Sequence, residues 1–527
     1  MSSDPSESLS LYSVSRSALV LTGGAVAVQV LGIARELFLA AQIGATAELD
    51  ALLIALVLPT ALPSILTSGA ITALVPAYLE ARHTSGLTEA QRLAGAILVW
   101  TAIAGAAIWI AITALAVPAV AVTGPGLTSA GRAEAVGFLQ LLAPLALITA
   151  ISAILFAVCQ AEQQFLTMSA ASFAGPAATL ATMLLLWDSM GLRALAIGSL
   201  IGPGIVVGIL IASMIRASLV PILVVRPGGR LGPFVRHAAP LTVGAAILQI
   251  NVAADRAVAS LLGPGAVSVL RYADVLVRVP VGAIGPAWGS AIYPALVRST
   301  LGGVVGSLAS DTQRTLRYAI AVFVPVAMLT MAVAPLAVTL AYDRGAFASD
   351  ALQLTAGTVA AFAPLLLILM ISPILTGAHN ARRSGRVLLT GATLNVIVNC
   401  LLDVVLGFSI GIVGVALASS ITSTLVLIYF ARRLETSEPA FTIDPIARTL
   451  GQAILASMPG TMAIGAFCWF GVVEIKDVAA LVALAVMGVL GGLGYLAAAT
   501  LLGMEEPRTL ITISMSAVRR QRPRRRA

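Results

Sequence analysis

The sequence predicts an all-α polytopic membrane protein of about 14 transmembrane helices. Three observations carry that prediction: the composition, the length and number of the apolar runs, and the side on which the basic residues fall. Of the 527 residues, 59% are hydrophobic and 10% are charged, whereas an average soluble domain carries about 25% charged residues. Mean hydropathy is +1.00. So few charges cannot cover the surface of a soluble chain of this length. The same figures exclude a soluble enzyme, a disordered protein, a coiled coil and a secreted disulfide scaffold.

Apolar runs of spanning length, broken at arginines, Gly/Pro and acidic clusters, occur in order at 17–41, 50–79, 93–121, 134–160, 165–187, 192–215 and 237–262. They continue at 266–296, 316–342, 351–378, 387–408, 411–431, 448–473 and 477–503. The longest connections, 217–236 and 297–315, are too short for a soluble domain. The first run reaches Arg35-Glu36 and follows a polar stretch poor in basic charge, which reads as an uncleaved helix and not as a signal peptide.

With the N-terminus placed in the cytoplasm and sides alternating, 23 of the 31 basic residues fall inside. Only Arg132, Arg193, Arg344 and Lys476 fall outside, and Arg35, Arg256, Arg271 and Arg278 lie within spans. This asymmetry fits an even number of spans with both ends cytoplasmic. The net charge of +8 is thus topological in origin and needs no nucleic acid. The basic tail RRQRPRRRA (519–527) reinforces the topology and meets anionic head groups.

A charge at membrane depth is costly and faces a cavity or a partner. Arg35 and Glu36 lie in span 1, and Asp255 and Arg256 in span 7. Arg271, Asp274 and Arg278 of span 8 stand at i, i+3 and i+7, on one helical face. That stripe is either self-neutralising or the cationic wall of a cavity, where arginine forks suit phosphate oxygens. Asn399 and Asp403 of span 11 share a face at i, i+4. With Asp255 they offer oxygen ligands of the kind hard cations prefer, suited to Na⁺ or to a proton on one carboxyl. The other reading is a helix-end Asp255–Arg256 pair and a lone Asp403.

Spans 1–2 (ARELFLAAQIGATAELDALLIALVLP, 34–59) and 7–8 (ADRAVASLLGPGAVSVLRYADVLVRVP, 254–280) share a plan. Each has a charged pair, a small-residue run, a Gly-containing turn and an apolar run ending at Pro. Parallel repeats of this kind build many transporters. Together with GAITALVPAYLEA (69–81) and YDRGAF (342–347), these segments resemble the MviN/MurJ lipid II flippases of the multidrug/oligosaccharidyl-lipid/polysaccharide exporter superfamily.

The resemblance spans about residues 15–435 and implies two six-helix lobes forming a V-shaped central cavity, plus two extra C-terminal helices. Residues 1–16 would be an N-terminal cytoplasmic tail, 17–215 the N-lobe, 216–236 a cytoplasmic connector and 237–435 the C-lobe. Residues 448–503 would form a groove for the lipid tail, and 504–527 a basic cytoplasmic tail. The implied function is flipping of a polyprenyl-pyrophosphate-linked cell-wall precursor, lipid II or a relative, across the bacterial cytoplasmic membrane by alternating access. Arg35 matches a family cavity arginine; Glu36, Arg271, Asp274 and Arg278 complete the expected substrate contacts. Asp255, Asn399 and Asp403 match a Na⁺ site found in some members, with Ser419 as its helix 12 hydroxyl. The chain departs from the family at Gln29, Pro63, Ser64, Ser68 and Val275, where charged residues are usual. Arg271 and Arg278, each within about one turn of Asp274, either supply the missing charge or the head group differs from that of lipid II.

The remaining signals are structural. His83, His237 and His379 read as interfacial loop-edge residues, and GPG (202–204) and GGLG (491–494) as sites of close helix packing or kinks. Pro59, Pro63, Pro280 and Pro286 are candidate kinks. Cys159, Cys400 and Cys468 lie far apart in apolar runs and form no disulfide framework. No nucleophile–base pair or metal motif appears, so neither an enzyme nor a cofactor is expected, apart from Na⁺ or H⁺ as coupling ion. The expected partners are the lipid-linked glycan, membrane phospholipid and cell-wall synthesis proteins. Two other functions fit the same sequence: an ion-coupled exporter of another amphiphile or lipid-linked polysaccharide, and a transport-dead scaffold.

Overall fold

The computed structural model describes residues 24, 26–225, 231–282, 307–382, 384–470 and 477–507. These are helical with short connections. The helices are α1 (26–42), α2 (Ala47–Ala55), α3 (Val57–Ser85), α4 (Leu87–Ala114), α5 (Ala116–Thr123), α6 (Ser129–Leu142), α7 (Leu145–Ala161), α8 (Phe165–Met190), α9 (Leu192–Arg216) and α10 (Leu231–Leu261). They continue with α11 (266–282), α12 (Ser307–Tyr342), α13 (Ser349–Ala381), α14 (Gly385–Ile410), α15 (Ile412–Ser437), α16 (Asp444–Phe470) and α17 (Asp477–Leu501).

Among the described residues, 11 segments have the length and hydropathy to cross a membrane. The expected spans 1, 7 and 8 overlap α1, α10 and α11; residues 17–23, 25 and 283–296 of spans 1 and 8 lie outside the described residues. Three expected spans are each two helices in series, and proline sets every break. Pro59 and Pro118 lack the N–H that would bond four residues back, and the helix parts at Leu56 and Leu115. Pro144 separates α6 from α7. Pro63 instead lies inside the continuous α3. Pro280 lies inside α11, and Pro286 falls outside the described residues. The expected loops also shorten, because α12 begins at Ser307 and α10 at Leu231.

The chain divides into two compact units, Met1–Leu39 with Ala45–Ser268, and Ala40–Gly44 with Val269–Ala527. The first unit packs α3, α4, α7 and α9 around Leu74, Tyr78, Leu93, Ile97, Ile154, Leu155, Leu210 and Met214. Alanine and glycine let these helices approach closely. At the GPG segment, a Cβ on Gly202 would run into the Gly175 carbonyl and the Thr179 hydroxyl, so close packing is what this glycine provides. One end of the core is fastened by Glu162, which accepts the Tyr78 hydroxyl at 2.8 Å and pairs with Arg82.

At the other end of this unit, the Thr46 side chain caps α2 and Asp50 sits one turn in. Asp50 is 2% exposed. Its carboxylate accepts the Gly265 N–H at 2.6 Å, the Ser268 N–H at 2.7 Å and the Ser268 hydroxyl at 2.5 Å. A carboxylate there satisfies the unpaired N–H groups of the first turn of α11 and meets the positive end of its dipole. Gly265 is required: its φ is +84°, and a Cβ would stand 2.6 Å from the Ala45 carbonyl oxygen.

The second unit holds a comparable knot, which explains the YDRGAF segment. Tyr342 donates to the Tyr272 carbonyl at 3.1 Å, and Tyr272 donates to the Gly44 carbonyl at 3.2 Å. Phe347 stacks on Tyr342 with centroids 5.5 Å apart and meets Tyr272 edge-on at 5.3 Å. Gly345, at φ +60°, lets the turn lie against the Ala41 backbone, where Ala346 N–H bonds the Ala41 carbonyl at 2.9 Å.

We expect Asp50→Ala to remove about 1.5–3 kcal/mol, because it strips a buried charged acceptor from three donors. Thermal unfolding in detergent, followed by tryptophan fluorescence, checks this. The control is Glu89→Ala, which removes an exposed i,i+3 partner of Arg92 and should leave the midpoint in place.

Candidate functional site

The predicted site residues are divided between the two units. In the first, Arg35 of α1 is partly exposed, with its side chain at 31%, and donates to Glu36 Oε1 at 2.8 Å. Glu36 is buried. A guanidinium has five N–H donors, so one bond to Glu36 leaves most of the fork for another anion. Its Nε has no protein acceptor among the described residues. Asp255 and Arg256 lie half-buried near the end of α10. Arg256 donates to the Leu53 carbonyl at 3.2 Å. That carbonyl belongs to the last turn of α2, where the helix breaks and a cation is favoured. Arg256 thus completes the α2 break.

In the second unit, α11 buries Tyr272, Ala273 and Val277 and leaves Arg271 and Asp274 half-buried and Arg278 exposed. Arg278 Nε donates to Asp274 Oδ1 at 2.7 Å. The Asp274–Arg278 pair is an i,i+4 ion pair on the surface of α11.

On α14, Asn399 and Asp403 are fully buried, and the Asn399 amide donates to Asp403 Oδ2 at 2.7 Å. The i,i+4 spacing read from the sequence thus becomes a direct contact. Ser419 is buried on α15, the helix packed along α14. Its neighbour Ser420 donates to the Ala361 carbonyl of α13 at 2.8 Å. Asp255 belongs to the first unit and Asn399, Asp403 and Ser419 to the second.

Helices α12, α16 and α17 enclose an apolar groove of about 460 Å³, lined by Pro325, Leu329, Ile464 and Tyr495 among others. Tyr495 donates to the Ala321 carbonyl at 2.7 Å, holding α17 against α12. Gly488, Gly491 and Gly492 form its α17 side. A Cβ on Gly488 or Gly492 would meet nothing within 4 Å, and one on Gly491 would stand 3.3 Å from Ile464. The GGLG segment therefore leaves a groove open, where the sequence suggested close packing.

Two further residues differ from expectation or were not singled out. His379 is 1% exposed; its Nε2 is 3.0 Å from the Phe430 carbonyl, and its ring tilts against Phe430 at 5.6 Å. It lies in the last turn of α13, but α15 covers it. Asp50 looked like the first residue of a span, and nothing local marks its role. The one sequence signal was the parallel between spans 1–2 and 7–8, which places its helix start opposite that of α11.

The family model for the lipid II flippase MurJ matches residues 39–486. A probable lipid II flippase MurJ from Thermotoga maritima is 23% identical over 81% of this chain and 87% of its own length. The lipid II flippase MurJ of Burkholderia cenocepacia is 25% identical over 70% of this chain and 73% of its own. Among solved structures, a lipid II flippase MurJ in an inward closed conformation superposes with a TM-score of 0.75 at 20% identity, covering 94% of this chain and all of that one. An inward-facing multidrug resistance MATE transporter of the MOP superfamily gives 0.66 at 13% identity, over 80% of this chain and 98% of its own. These likenesses at low identity bear on the fold, and the family match extends over most of the sequence. With its helical membrane-spanning architecture and a family match over residues 39–486, the chain belongs to the MurJ lipid II flippase family.

Proposed function

We propose that this chain flips lipid II, or a closely related polyprenyl-pyrophosphate-linked glycan, across the bacterial cytoplasmic membrane by alternating access, with both termini cytoplasmic. The observation that carries the reading is Arg35: a partly exposed guanidinium in a membrane helix, held by one bond to Glu36 and with donors to spare. A charge kept there at such cost suits an anionic substrate, and a pyrophosphate accepts bidentate N–H donation. Arg271, held on the same helix as the Asp274–Arg278 pair, adds positive charge for the head group. The groove of α12, α16 and α17 takes the polyprenyl tail, whose burial needs only apolar walls. The positive charge lacking at Gln29, Pro63, Ser64 and Val275 narrows the head-group contacts to these few arginines. Cell-wall synthesis proteins are the expected partners of such a transporter.

Asn399 and Asp403, with Ser419 of the same unit, are the residues we assign to a coupling ion. Their donors are oxygens and the α14 pair is fully buried, which suits Na⁺ or a proton. When bound, the ion supplies a positive charge that offsets the buried carboxylate. Asn399 holds Asp403 in one rotamer through its amide.

In a bacterium depleted of its own lipid II flippase, this chain should restore lipid II on the outer face, read by labelling the exposed precursor. Arg35→Ala should cut that exposure by at least about tenfold, the effect of losing roughly 1.4 kcal/mol of charge-assisted binding. Full activity of Arg35→Ala would remove the assignment, and growth support without lipid II exposure would point to a scaffold. For the ion, flipping by Asp403→Asn in vesicles should no longer respond to a Na⁺ gradient. A response equal to that of the parent protein would sink this site and leave the flippase reading intact.

A further inference from the structure

Beside the apolar groove lies a second, polar pocket of about 360 Å³ in the same unit. Its walls include Gln313, Arg314, Arg317 and Tyr318 of α12, with Glu505 and Glu506 from just beyond α17. The two cavities adjoin. Tyr318 of the polar pocket and Ala321 of the groove are about one turn apart on α12. Glu506 lines one and Pro507 the other. Together they make an apolar trough with a charged mouth.

Among the described residues, the mouth carries two arginines and two glutamates. Arg317 pairs with Glu506 at 2.5 Å, and Thr449 of α16 bridges both, at 3.1 Å to each. Glu506 is 4% exposed, so this pair is closed and structural. Arg314 and Glu505 then put one positive and one negative group on the wall. The Arg314 guanidinium is oriented by Tyr318, with its carbon 5.7 Å from the ring centroid and Nη2 3.4 Å from the hydroxyl. Gln313 is fixed, because its carbonyl oxygen accepts the Thr442 N–H at 2.9 Å.

We propose that trough and mouth form one site for a zwitterionic phospholipid with a primary ammonium, phosphatidylethanolamine. The phosphate takes the Arg314 fork, as arginine favours. The ammonium donates N–H bonds to the Glu505 carboxylate, and an acyl chain lies along Gly488 and Gly492 in the groove. Two common alternatives fit less well. A choline head has no N–H to donate to Glu505. A phosphoglycerol head brings no cation and sets a net negative charge beside a carboxylate. This inference does not rest on the flippase reading, although it uses the groove assigned there to the polyprenyl tail: phospholipid holds the trough until that tail displaces it.

Native mass spectrometry of the full chain, delipidated in detergent and titrated with phosphatidylethanolamine, phosphatidylcholine or phosphatidylglycerol of matched acyl chains, tests this without any transport assay. The parent protein should retain phosphatidylethanolamine roughly tenfold better than the other two, the preference expected from one charged hydrogen-bonded contact. Glu505→Gln should equalise phosphatidylethanolamine and phosphatidylcholine. Arg314→Gln should weaken all three, and Gly492→Leu should do the same by filling the trough. Unchanged thermal midpoints separate these effects from misfolding. If Arg314→Gln does not fold, Arg314→Lys keeps the charge and should lose only the bidentate part of the affinity. Equal retention of the three head groups by the parent protein overturns the proposal. So does a preference for phosphatidylglycerol, or an ethanolamine preference that survives both Glu505→Gln and Arg314→Gln.

Discussion

In a hydrocarbon interior no water completes an unpaired backbone group, so each place where a helix stops must supply its own partner. The break at Leu56 lies within a span, and the turns that join spans use the same device. Where α2 breaks at Leu56, Arg256 takes the Leu53 carbonyl. Where α11 begins, Asp50 takes two N–H groups and a hydroxyl. Where α12 ends, Ala346 bonds Ala41 and two tyrosine hydroxyls cap carbonyls at Tyr272 and Gly44. The polar residues of these membrane segments are therefore a mixture. Some complete the backbone, and only the remainder are free to serve a substrate or an ion.

Sorting the two kinds shows what was legible in the sequence. Helical architecture and the order of spans follow from run length and charge asymmetry, properties that each segment carries locally. The Asn399–Asp403 and Asp274–Arg278 contacts were readable because an i,i+4 spacing places side chains together whatever the tertiary setting. Asp50 and Arg256 were not readable as caps. Their partners lie more than two hundred residues away, and no local pattern names a long-range acceptor. The helix-breaking role of Pro118 and Pro144 was missed beside Pro59 for a related reason, since proline in a membrane helix bends or breaks it according to what its neighbours supply. His379 stands at a loop edge, and its burial was not readable because it comes from packing by α15.

Small residues likewise serve opposite purposes in the two units. Gly202 and Gly175 in the first bring α8 and α9 into backbone contact. Gly488 and Gly492 in the second face empty space and keep a groove between α12, α16 and α17. Sequence patterns cannot separate these cases, because a missing side chain reads the same whether a neighbour fills its place or a ligand does. The separation comes from where the facing helix lies, which for α17 is set by the Tyr495 bond to Ala321.

The Arg317–Glu506–Thr449 network has a consequence for biogenesis. Arg317 emerges from the ribosome with α12, and Thr449 follows with α16, but Glu506 lies beyond the last spanning helix. Chains are made from the N-terminus and their parts fold as they appear. Until the segment after α17 emerges, Arg317 has a hydroxyl and no carboxylate to meet. Closure of this corner of the second unit therefore waits for the last made of its three partners.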